Sequence, residues 1–259
     1  MKIRKIVKTT YWFMFKPRYW IQYVHLIKRK IFGIKDVKSE KNKAIAWAKK
    51  HAINYNNCWE KIGLKGETVN FDKKILNEAK QLASNYKGLM GGPGHIDFIF
   101  NAVRLLKAKY VIETGVAYGW SSLAILVGFS KNNIDNCKLY SVDMPYPNRN
   151  NEPYVGIVVP ERFKKNWKII DRPDITGIPI ATKLIQTKID LCHYDSDKSR
   201  AGRSISYPIL WESLRSGGLF ISDDIGDNLF FSEFARSVNA QFCVVKVQGN
   251  QYMGAIRKP

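Results

Sequence analysis

The fold prediction starts from the stretch Lys109–Ser122, which reads KYVIETGVAYGWSS. Its first half is a short run of apolar and β-branched residues, which is typical of a buried strand. Gly115 and Gly119 follow four residues apart, and glycine lets a chain turn sharply and pass close to a ligand. The next residues, WSSLAILVGF, predict a helix whose first turn offers free N–H groups to an anionic group. We therefore predict a strand, a tight turn and a helix, with a binding site at the turn.

The alternation of strand and helix continues to the C-terminus. Further strands are predicted from the segments KLYSVD, KIID, IDLCHYD, GLFISDD, FCVVKV and QYMGAIRK. Helices are predicted from PERFKKNW, SYPILWESL and LFFSEFARSV, and Gln248-Gly249-Asn250 predicts a hairpin between the last two strands. Alternating βα units form mostly parallel sheets with helices on both faces. We predict an α/β fold: a Rossmann-like, doubly wound, mostly parallel sheet with a C-terminal antiparallel hairpin, preceded by an N-terminal helical region.

The chain divides into three predicted regions. Residues 1–38 form a basic, aromatic appendage, residues 39–107 a helical region that covers the site, and residues 108–259 the ligand-binding domain. The length and the ordinary content of apolar residues exclude a disordered or low-complexity chain.

Three helices are predicted in the second region. Ser39 is expected to cap a helix that runs through Trp59. The segment FDKKILNEAKQLASNYKG has apolar residues at helical spacing and predicts a second helix, which Gly88 would end. A third helix is expected over about residues 95–107, after the flexible GGPG at 91–94.

Positive charge is concentrated at the N-terminal end. The formal net charge is +20, from 42 Lys and Arg against 22 Asp and Glu. Residues 1–35 hold ten Lys or Arg and no acidic residue, interleaved with aromatic side chains. This favours a polyanionic neighbour. Three interpretations of residues 1–38 stay open: a peripheral membrane anchor, an RNA-binding surface, or a helical appendage packed on the domain.

Cysteine usage and hydropathy bear on the compartment. The cysteines are widely spaced and form no CxxC pair; they are Cys58, Cys137, Cys192 and Cys243. This pattern predicts neither a disulfide framework nor a zinc site, and it favours a reducing cytoplasm. No apolar run reaches the roughly eighteen residues of a transmembrane helix, and the basic start is not a convincing signal peptide. We expect a cytoplasmic protein, at the inner face of the membrane if the first region is an anchor.

The glycine turn differs from two common phosphate-binding motifs. No Gly-Lys-Ser/Thr follows it, which excludes a P-loop, and Ala117 and Trp120 stand where a dinucleotide fingerprint has glycine. The next strand ends in Asp143, whose carboxylate can accept both hydroxyls of a ribose. The turn and Asp143 together favour a nucleoside ligand.

The pattern Glu113-x-Gly115-x-x-x-Gly119, with Asp143 ending the next strand, resembles the cofactor site of the class I S-adenosylmethionine-dependent methyltransferases. The resemblance extends from about residue 88 to the C-terminus. It implies a methyltransferase fold and an S-adenosylmethionine-binding domain in the third region.

The resemblance also implies which residues contact the cofactor, namely Glu113, Gly115, Ala117, Gly119, Ser121 and Asp143. The two glycines and Ala117 would border the methionine part of the cofactor, and Glu113 would order it. Asp143 would hold the ribose, and Ser121 would hydrogen-bond the cofactor carboxylate at the helix start.

Two later strands also end in acidic residues. IDLCHYD ends in Asp195, and GLFISDD ends in Asp223 and Asp224. If these strands are parallel neighbours, the three carboxylates emerge at one edge and repel each other unless a cation is present. Oxygen ligands favour a hard divalent ion such as Mg²⁺.

This cluster resembles that of the metal-dependent O-methyltransferases, which include catechol and macrocin-type sugar enzymes. The segments VPERFKKNW, HYDSDKS and LRSGGLFISDDI look most like the macrocin-type branch. The resemblance implies that Asp195, Asp223 and Asp224 hold the metal, and that Lys198 is the general base.

Three further features bear on the site. His193 lies within a strand and is expected to be a core residue. Met90-Gly91-Gly92 resembles a segment that covers the methyl donor in catechol enzymes, although a plain turn fits as well. The family's adenine-contacting segment is not evident after the third strand, so no adenine contact is assigned.

The predicted function is S-adenosylmethionine-dependent, Mg²⁺-dependent methylation of a hydroxyl on a sugar, a glycan or another diol-containing acceptor. Two alternatives stay open. One is an RNA methyltransferase that docks RNA through its basic N-terminus, disfavoured because no RNA-binding module is recognisable. The other is a non-catalytic, membrane-associated scaffold, disfavoured because the cofactor and metal patterns are both present.

Overall fold

A seven-stranded sheet organises the computed structural model, which describes residues 2–32, 37–85 and 90–259. The strand order is β3-β2-β1-β4-β5-β7-β6. The strands are β1 (Tyr110–Thr114), β2 (Lys138–Asp143), β3 (Trp167–Asp171), β4 (Ile189–Tyr194), β5 (Leu214–Ser222), β6 (Phe242–Lys246) and β7 (Tyr252–Arg257). The first five strands in the chain pair in parallel, whereas β7 is antiparallel to β5 and β6. The predicted mostly parallel sheet with a C-terminal hairpin is confirmed.

The described helices flank the sheet. They are α1 (Lys2–Met14), α2 (Trp20–Ile31), α3 (Lys38–His51), α4 (Tyr55–Lys61), α5 (Lys73–Ser84), α6 (Ile96–Leu106), α7 (Trp120–Asn132), α8 (Asp174–Ile185), α9 (Arg200–Ser213) and α10 (Phe230–Ser237). Side chains of β1 alternate between the faces: Val111 belongs to the core with α6 and α7, and Ile112 to the core with α8 and α9. Residues of α4 to α6 share the first core with the sheet. The region boundaries stay predictions.

The strand order reverses next to β1, which pairs with β2 on one side and β4 on the other. In sheets of this kind, ligands bind outside the carboxyl ends of the strands at the point of reversal. The ends of β1, β2, β4 and β5 therefore meet at one edge, where the predicted site residues lie.

The helix expected from Ser39 through Trp59 is two helices, so that prediction is wrong in detail. Ser39 lies inside the first turn of α3, whose capping position makes no side-chain hydrogen bond. The break follows α3 because Ile53 donates its N–H to the carbonyl of Val244 at 2.9 Å, which ties the linker to β6. The expected end of the next helix at Gly88 lies outside the described residues.

Two other segments differ from the sequence prediction. PERFKKNW was expected to be an α-helix, but Glu161–Asn166 is a 3₁₀-helix. Helix α8 was not predicted, because Gly177 and Pro179 within it are poor helix formers. It forms nevertheless because Gly177 packs directly on Val142 of β2, where a Cβ would lie 2.3 Å from a valine methyl group.

Cys58 and Cys243 form a disulfide, so the expectation of no disulfide is wrong for this pair. Residue spacing gave no sign of it because the two cysteines are 185 residues apart and meet only where α4 packs on β6. Cys137 and Cys192 are free and buried. The cysteines therefore no longer support a reducing compartment.

The N-terminal appendage is a helical hairpin that packs on the domain. Trp12, Phe13 and Tyr19 are buried between its helices and the domain. Tyr19 and Arg18 both donate hydrogen bonds to the Asp171 carboxylate at the end of β3. The interpretation as a packed appendage therefore holds for its inner side. In the described parts of the chain, none of the helices has the length and apolar character needed to cross a membrane.

The packing of β7 generates a stability prediction. A Cβ on Gly254 would lie 2.2 Å from the buried ring of Phe231. We expect Gly254→Ala to lower the free energy of unfolding by about 1–3 kcal/mol, because the ring must shift in a filled core. Gly92→Ala is the matched control, since a Cβ there meets no atom within 4 Å. Urea unfolding followed by circular dichroism measures both variants, and equal stabilities would contradict this packing.

Candidate active site

A cavity of about 990 Å³ opens at the carboxyl edge of the sheet. Its wall combines the strand ends with the segment after residue 90 and one face of α2. A volume of this size lies at the upper end for small-molecule sites, and so can hold a nucleoside cofactor beside a second ligand.

The glycine turn forms one wall of this cavity. Gly115, Ala117 and Gly119 all have left-handed backbone, with φ of 80°, 48° and 92°. A Cβ on Gly115 would lie 2.5 Å from the carbonyl oxygen of Asp195, so only glycine fits where the turn crosses the end of β4. Ser121 lines the cavity at the start of α7, whereas Gly119 lies behind the turn against Gly156.

Asp143 stands at the end of β2, in the cavity wall. One carboxylate oxygen accepts the N–H of Val116 at 2.8 Å, which couples the acidic residue to the glycine turn. Burial raises the pKa of Asp143 to about 6; backbone N–H groups lower it, and the charge of Glu113 raises it further. Asp143 thus lies in the cavity wall beside the turn, and its role in holding a ribose stays a prediction.

Glu113 lies beneath the turn and not in the cavity wall. Its fully buried carboxylate accepts hydrogen bonds from the hydroxyls of Ser122, at 2.5 Å, and Ser141, at 2.6 Å. His193 Nδ1 lies 3.7 Å from the other carboxylate oxygen. Burial lowers the pKa of His193, but Glu113 and Asp195 outweigh burial and raise it. Both groups support the floor of the cavity, and an effect of Glu113 on the methionine part stays a prediction.

The structure brings together the three aspartates expected to cluster. Tyr194 and Ser222 are partners across β4 and β5, so the residues that follow them emerge side by side. Lys198 Nζ lies 2.7 Å from a carboxylate oxygen of Asp195 and 2.6 Å from one of Asp224. Lys198 was expected beside the cluster as a general base. Its ammonium instead lies within the cluster, between the carboxylates of Asp195 and Asp224.

This ammonium changes what the cluster can hold. Burial lowers the pKa of Lys198, but the charges of Asp195 and Asp224 outweigh burial and keep it above the usual lysine value. Burial and the same two neighbouring aspartates raise the pKa of Asp223 to about 6. Across the described residues, no three His, Cys, Asp or Glu side chains are arranged to hold a metal ion. The arrangement described here therefore does not fit Mg²⁺ at this cluster.

Two residues hold the cluster in place: Arg203, which the sequence did not indicate, and Asn228, whose position after the cluster favoured a helix cap over a supporting role. The buried guanidinium of Arg203 donates to the carbonyl oxygen of Asp224 at 2.7 Å. Asn228 donates to the carbonyl oxygen of Lys198 at 2.9 Å. Asp224 itself has φ of 47°, so the turn after β5 is a constrained one that Arg203 stabilises.

Asp174 is a further cavity residue that the sequence analysis missed. It begins α8, directly after β3, and its carboxylate accepts hydrogen bonds from Ser196 and Ser206. Burial raises the pKa of Asp174 to about 7. The hydrogen bond from Ser196 lowers this pKa, but its effect is smaller than that of burial. The sequence signal for Asp174 was an acidic residue at the start of a helix that follows a strand. It was not recognised because no helix was predicted there.

Segments before the sheet complete the wall. Gln22, His25 and Arg29 of α2 line the cavity, and Arg29 forms an ion pair with Asp197 at 2.7 Å. Met90, Gly91 and Gly92 also line it, and Trp120 Nε1 donates to the carbonyl of Gly91 at 3.3 Å. The N-terminal appendage therefore belongs to the site, which its sequence did not indicate.

Residues 112–225 match the family model described as a methyltransferase domain. This segment runs from β1 to just beyond Asp224, so it contains the glycine turn, Asp143 and the acidic cluster. No curated protein matches the chain.

Solved structures share the fold. An O-methyltransferase from Bacillus cereus in complex with S-adenosylhomocysteine is 14% identical, with a TM-score of 0.54 over 82% of this chain and 100% of that chain. The O-methyltransferase TomG from Streptomyces achromogenes, involved in tomaymycin synthesis and bound to S-adenosylmethionine, is 13% identical, with a TM-score of 0.54 over 74% and 92%. The S-adenosylhomocysteine-bound methyltransferase PaMTH1 from Podospora anserina is 12% identical, with a TM-score of 0.54 over 87% and 98%. At these identities the likeness establishes the fold.

The pKa of Asp143 generates a prediction about cofactor affinity. If the ionised carboxylate accepts the ribose hydroxyls, affinity should fall as the pH drops through about 6. At about pH 5 roughly one tenth of the groups are ionised, and we expect S-adenosylhomocysteine to bind about tenfold more weakly than at about pH 7.5. Isothermal titration calorimetry measures this, and Asp143→Asn should bind weakly at both pH values. An equal pH dependence in that variant would assign the effect to another group.

Proposed function

We propose that this chain, a class I S-adenosylmethionine-dependent methyltransferase, transfers the methyl group to a hydroxyl oxygen of its acceptor. The observation that carries the proposal is the contact between the glycine turn and the acidic cluster at Gly115 and Asp195. A cofactor bound along the turn would have its sulfonium beside carboxylates that can receive a proton.

The cofactor side of the reaction is assigned to the turn and its neighbours. Asp143 holds the ribose hydroxyls, and the N–H groups at the start of α7, with Ser121, receive the cofactor carboxylate. Asp174, buried in the same wall, is a candidate partner for the remaining polar edge of the nucleoside. S-adenosylmethionine supplies the methyl group on a sulfonium.

The acceptor side is assigned to the cluster. The ammonium of Lys198 attracts the hydroxyl oxygen and stabilises the negative charge that develops on it. Asp195 or Asp223 takes the hydroxyl proton as the new oxygen–carbon bond forms and the sulfur–carbon bond breaks. The products are the methyl ether, S-adenosylhomocysteine and a protonated carboxyl group. Holding oxygen, carbon and sulfur in line supplies much of the rate.

This assignment replaces two roles that the resemblance implied. A lysine between two carboxylates keeps its proton, so Lys198 acts here as a cation and not as the general base. The same ammonium lies between two of the three carboxylates expected to hold Mg²⁺, and the proposed reaction uses no metal.

We propose a sugar or another diol-containing molecule as the acceptor. Charged groups of both signs line the acceptor side, and vicinal hydroxyls can donate to carboxylates while accepting from an ammonium. The volume of the cavity leaves room for such a molecule beside the cofactor.

Substitutions in the cluster test the chemistry. We expect Asp195→Asn or Asp223→Asn, whichever removes the residue that takes the proton, to lower kcat at least about hundredfold. Affinity for S-adenosylhomocysteine should stay nearly unchanged. Asp227→Asn is the matched control, since this residue pairs with Lys41 outside the cavity. Turnover is followed by transfer of labelled methyl to candidate sugars, glycolipids and RNA; full activity in both cluster variants would overturn the assignment.

The role of Lys198 as the resident cation gives a separate prediction. Turnover should be unchanged by a chelator and by added Mg²⁺, whereas Lys198→Met should lose most activity because no cation then faces the carboxylates. If a chelator stops turnover and Mg²⁺ restores it, the lysine must leave the cluster for the ion. The metal-dependent mechanism would then replace the one above.

A further inference from the structure

The outer side of α1 is an apolar stripe exposed to solvent. Val7, Tyr11, Met14 and Phe15 recur at helical spacing, and each is between 59 and 64% exposed. Trp12 and Phe13 lie on the opposite side of the helix and are buried. The stripe is therefore not the face through which α1 packs, because the buried side chains of Trp12 and Phe13 form that face.

Helix α2 has the same two-sided character. Trp20, Val24, Ile27 and Ile31 follow at intervals of four, three and four residues, and all are exposed. Gln22, His25 and Arg29 follow at intervals of three and four and line the cavity. At 3.6 residues per turn these sets lie on opposite sides of the helix. One side of α2 thus forms the site, and the other presents apolar side chains to the surroundings.

Positive charge flanks the exposed stripes. Lys28 and Lys30 are exposed and fall on either side of the α2 stripe, and exposed Lys8 adjoins the α1 stripe. No acidic residue occurs in residues 1–35. An apolar stripe bordered by lysines is the pattern of a helix lying in the headgroup region of an anionic bilayer, where the stripe is buried and the lysine side chains reach the headgroups.

We propose that the α1–α2 hairpin docks this protein on the surface of an anionic lipid bilayer, with the two exposed stripes inserted among the headgroups. The surface fits a bilayer better than other polyanions or a second copy. Five of the eight stripe residues, those other than Tyr11, Phe15 and Trp20, offer no ring for stacking with RNA bases. Pairing two copies through the stripes would bring like charges together. A helix is about 10 Å across, so docking places the cavity about one helix diameter from the headgroups.

Co-sedimentation of the full chain with vesicles tests the proposal. Vesicles of phosphatidylcholine with phosphatidylglycerol should carry the protein down, vesicles of phosphatidylcholine alone should do so much less, and added salt should weaken the binding. Phe15→Ser/Ile31→Ser should reduce the partition coefficient about tenfold. The control is Ile180→Ser/Leu184→Ser, which removes two exposed apolar residues of α8, 39 and 41% exposed, and should bind like the wild type.

Substitutions of charged residues test the same proposal without changing the apolar stripes. Lys28→Glu/Lys30→Glu should weaken binding to anionic vesicles at least about thirtyfold. Lys49→Glu/Lys50→Glu, at exposed positions of α3, should change it far less. Unchanged binding of S-adenosylhomocysteine by each variant shows that the domain and its site are intact.

Several results would overturn the proposal. The wild type could fail to sediment with anionic vesicles, or the hairpin and control variants could sediment equally. The protein could also bind a single-stranded RNA oligonucleotide and not bind vesicles. Self-association that Phe15→Ser/Ile31→Ser abolishes, without vesicle binding, would assign the stripes to a second copy. These results do not depend on turnover, so they are separable from failure of the proposed methyl transfer.

Discussion

The site depends on how negative charge is held at the carboxyl edge of the sheet. Asp143, Asp174 and Asp223 lose water on folding, and the pKa of each is raised because burial disfavours the charged carboxylate. Lys198 offsets part of this cost at one end of the cavity, where its ammonium pairs with two carboxylates. A ligand with a sulfonium and several hydroxyls supplies what the rest of the edge needs: a positive charge and hydrogen-bond donors. The electrostatics therefore favour a cationic ligand with several hydroxyl groups, a description that S-adenosylmethionine fits.

Backbone geometry makes this concentration of charge possible. Parallel pairing of β4 with β5 brings two acidic strand ends together, and the glycine turn after β1 crosses the end of β4 with no room for a side chain at Gly115. Cofactor and acceptor groups thus share a backbone contact, and a change in either loop displaces the other. Arg203 and Asn228 extend the coupling, since they hold the backbone on both sides of the cluster by hydrogen bonds. The positioning on which the proposed chemistry relies is built into the sheet edge.

Patterns local in sequence predicted the sheet well. Short apolar runs predicted every strand, the five parallel ones end in or run directly into glycine or aspartate, and the spacing around Gly115 predicted the turn. Helix α8 was missed because Gly177 and Pro179 oppose helix formation locally, whereas packing on β2 decides the outcome. The disulfide of Cys58 was missed because its partner is distant in sequence. The ammonium of Lys198 between two carboxylates could not be foreseen either, since a position three residues after an aspartate says only that the groups are near.

Point substitutions, and not truncation, are needed to separate the cavity-lining role of the N-terminal hairpin from its proposed membrane docking. Because Gln22 and Arg29 lie in the cavity wall, removal of residues 1–38 would open the site and break the ion pair with Asp197 as well as remove the exposed stripes. Loss of both activity and membrane binding in such a truncation would be uninformative about either. The exposed apolar and the cavity-lining side chains of α2 lie on opposite sides of the helix, so a change at Ile31 alters the outer surface and leaves the wall in place.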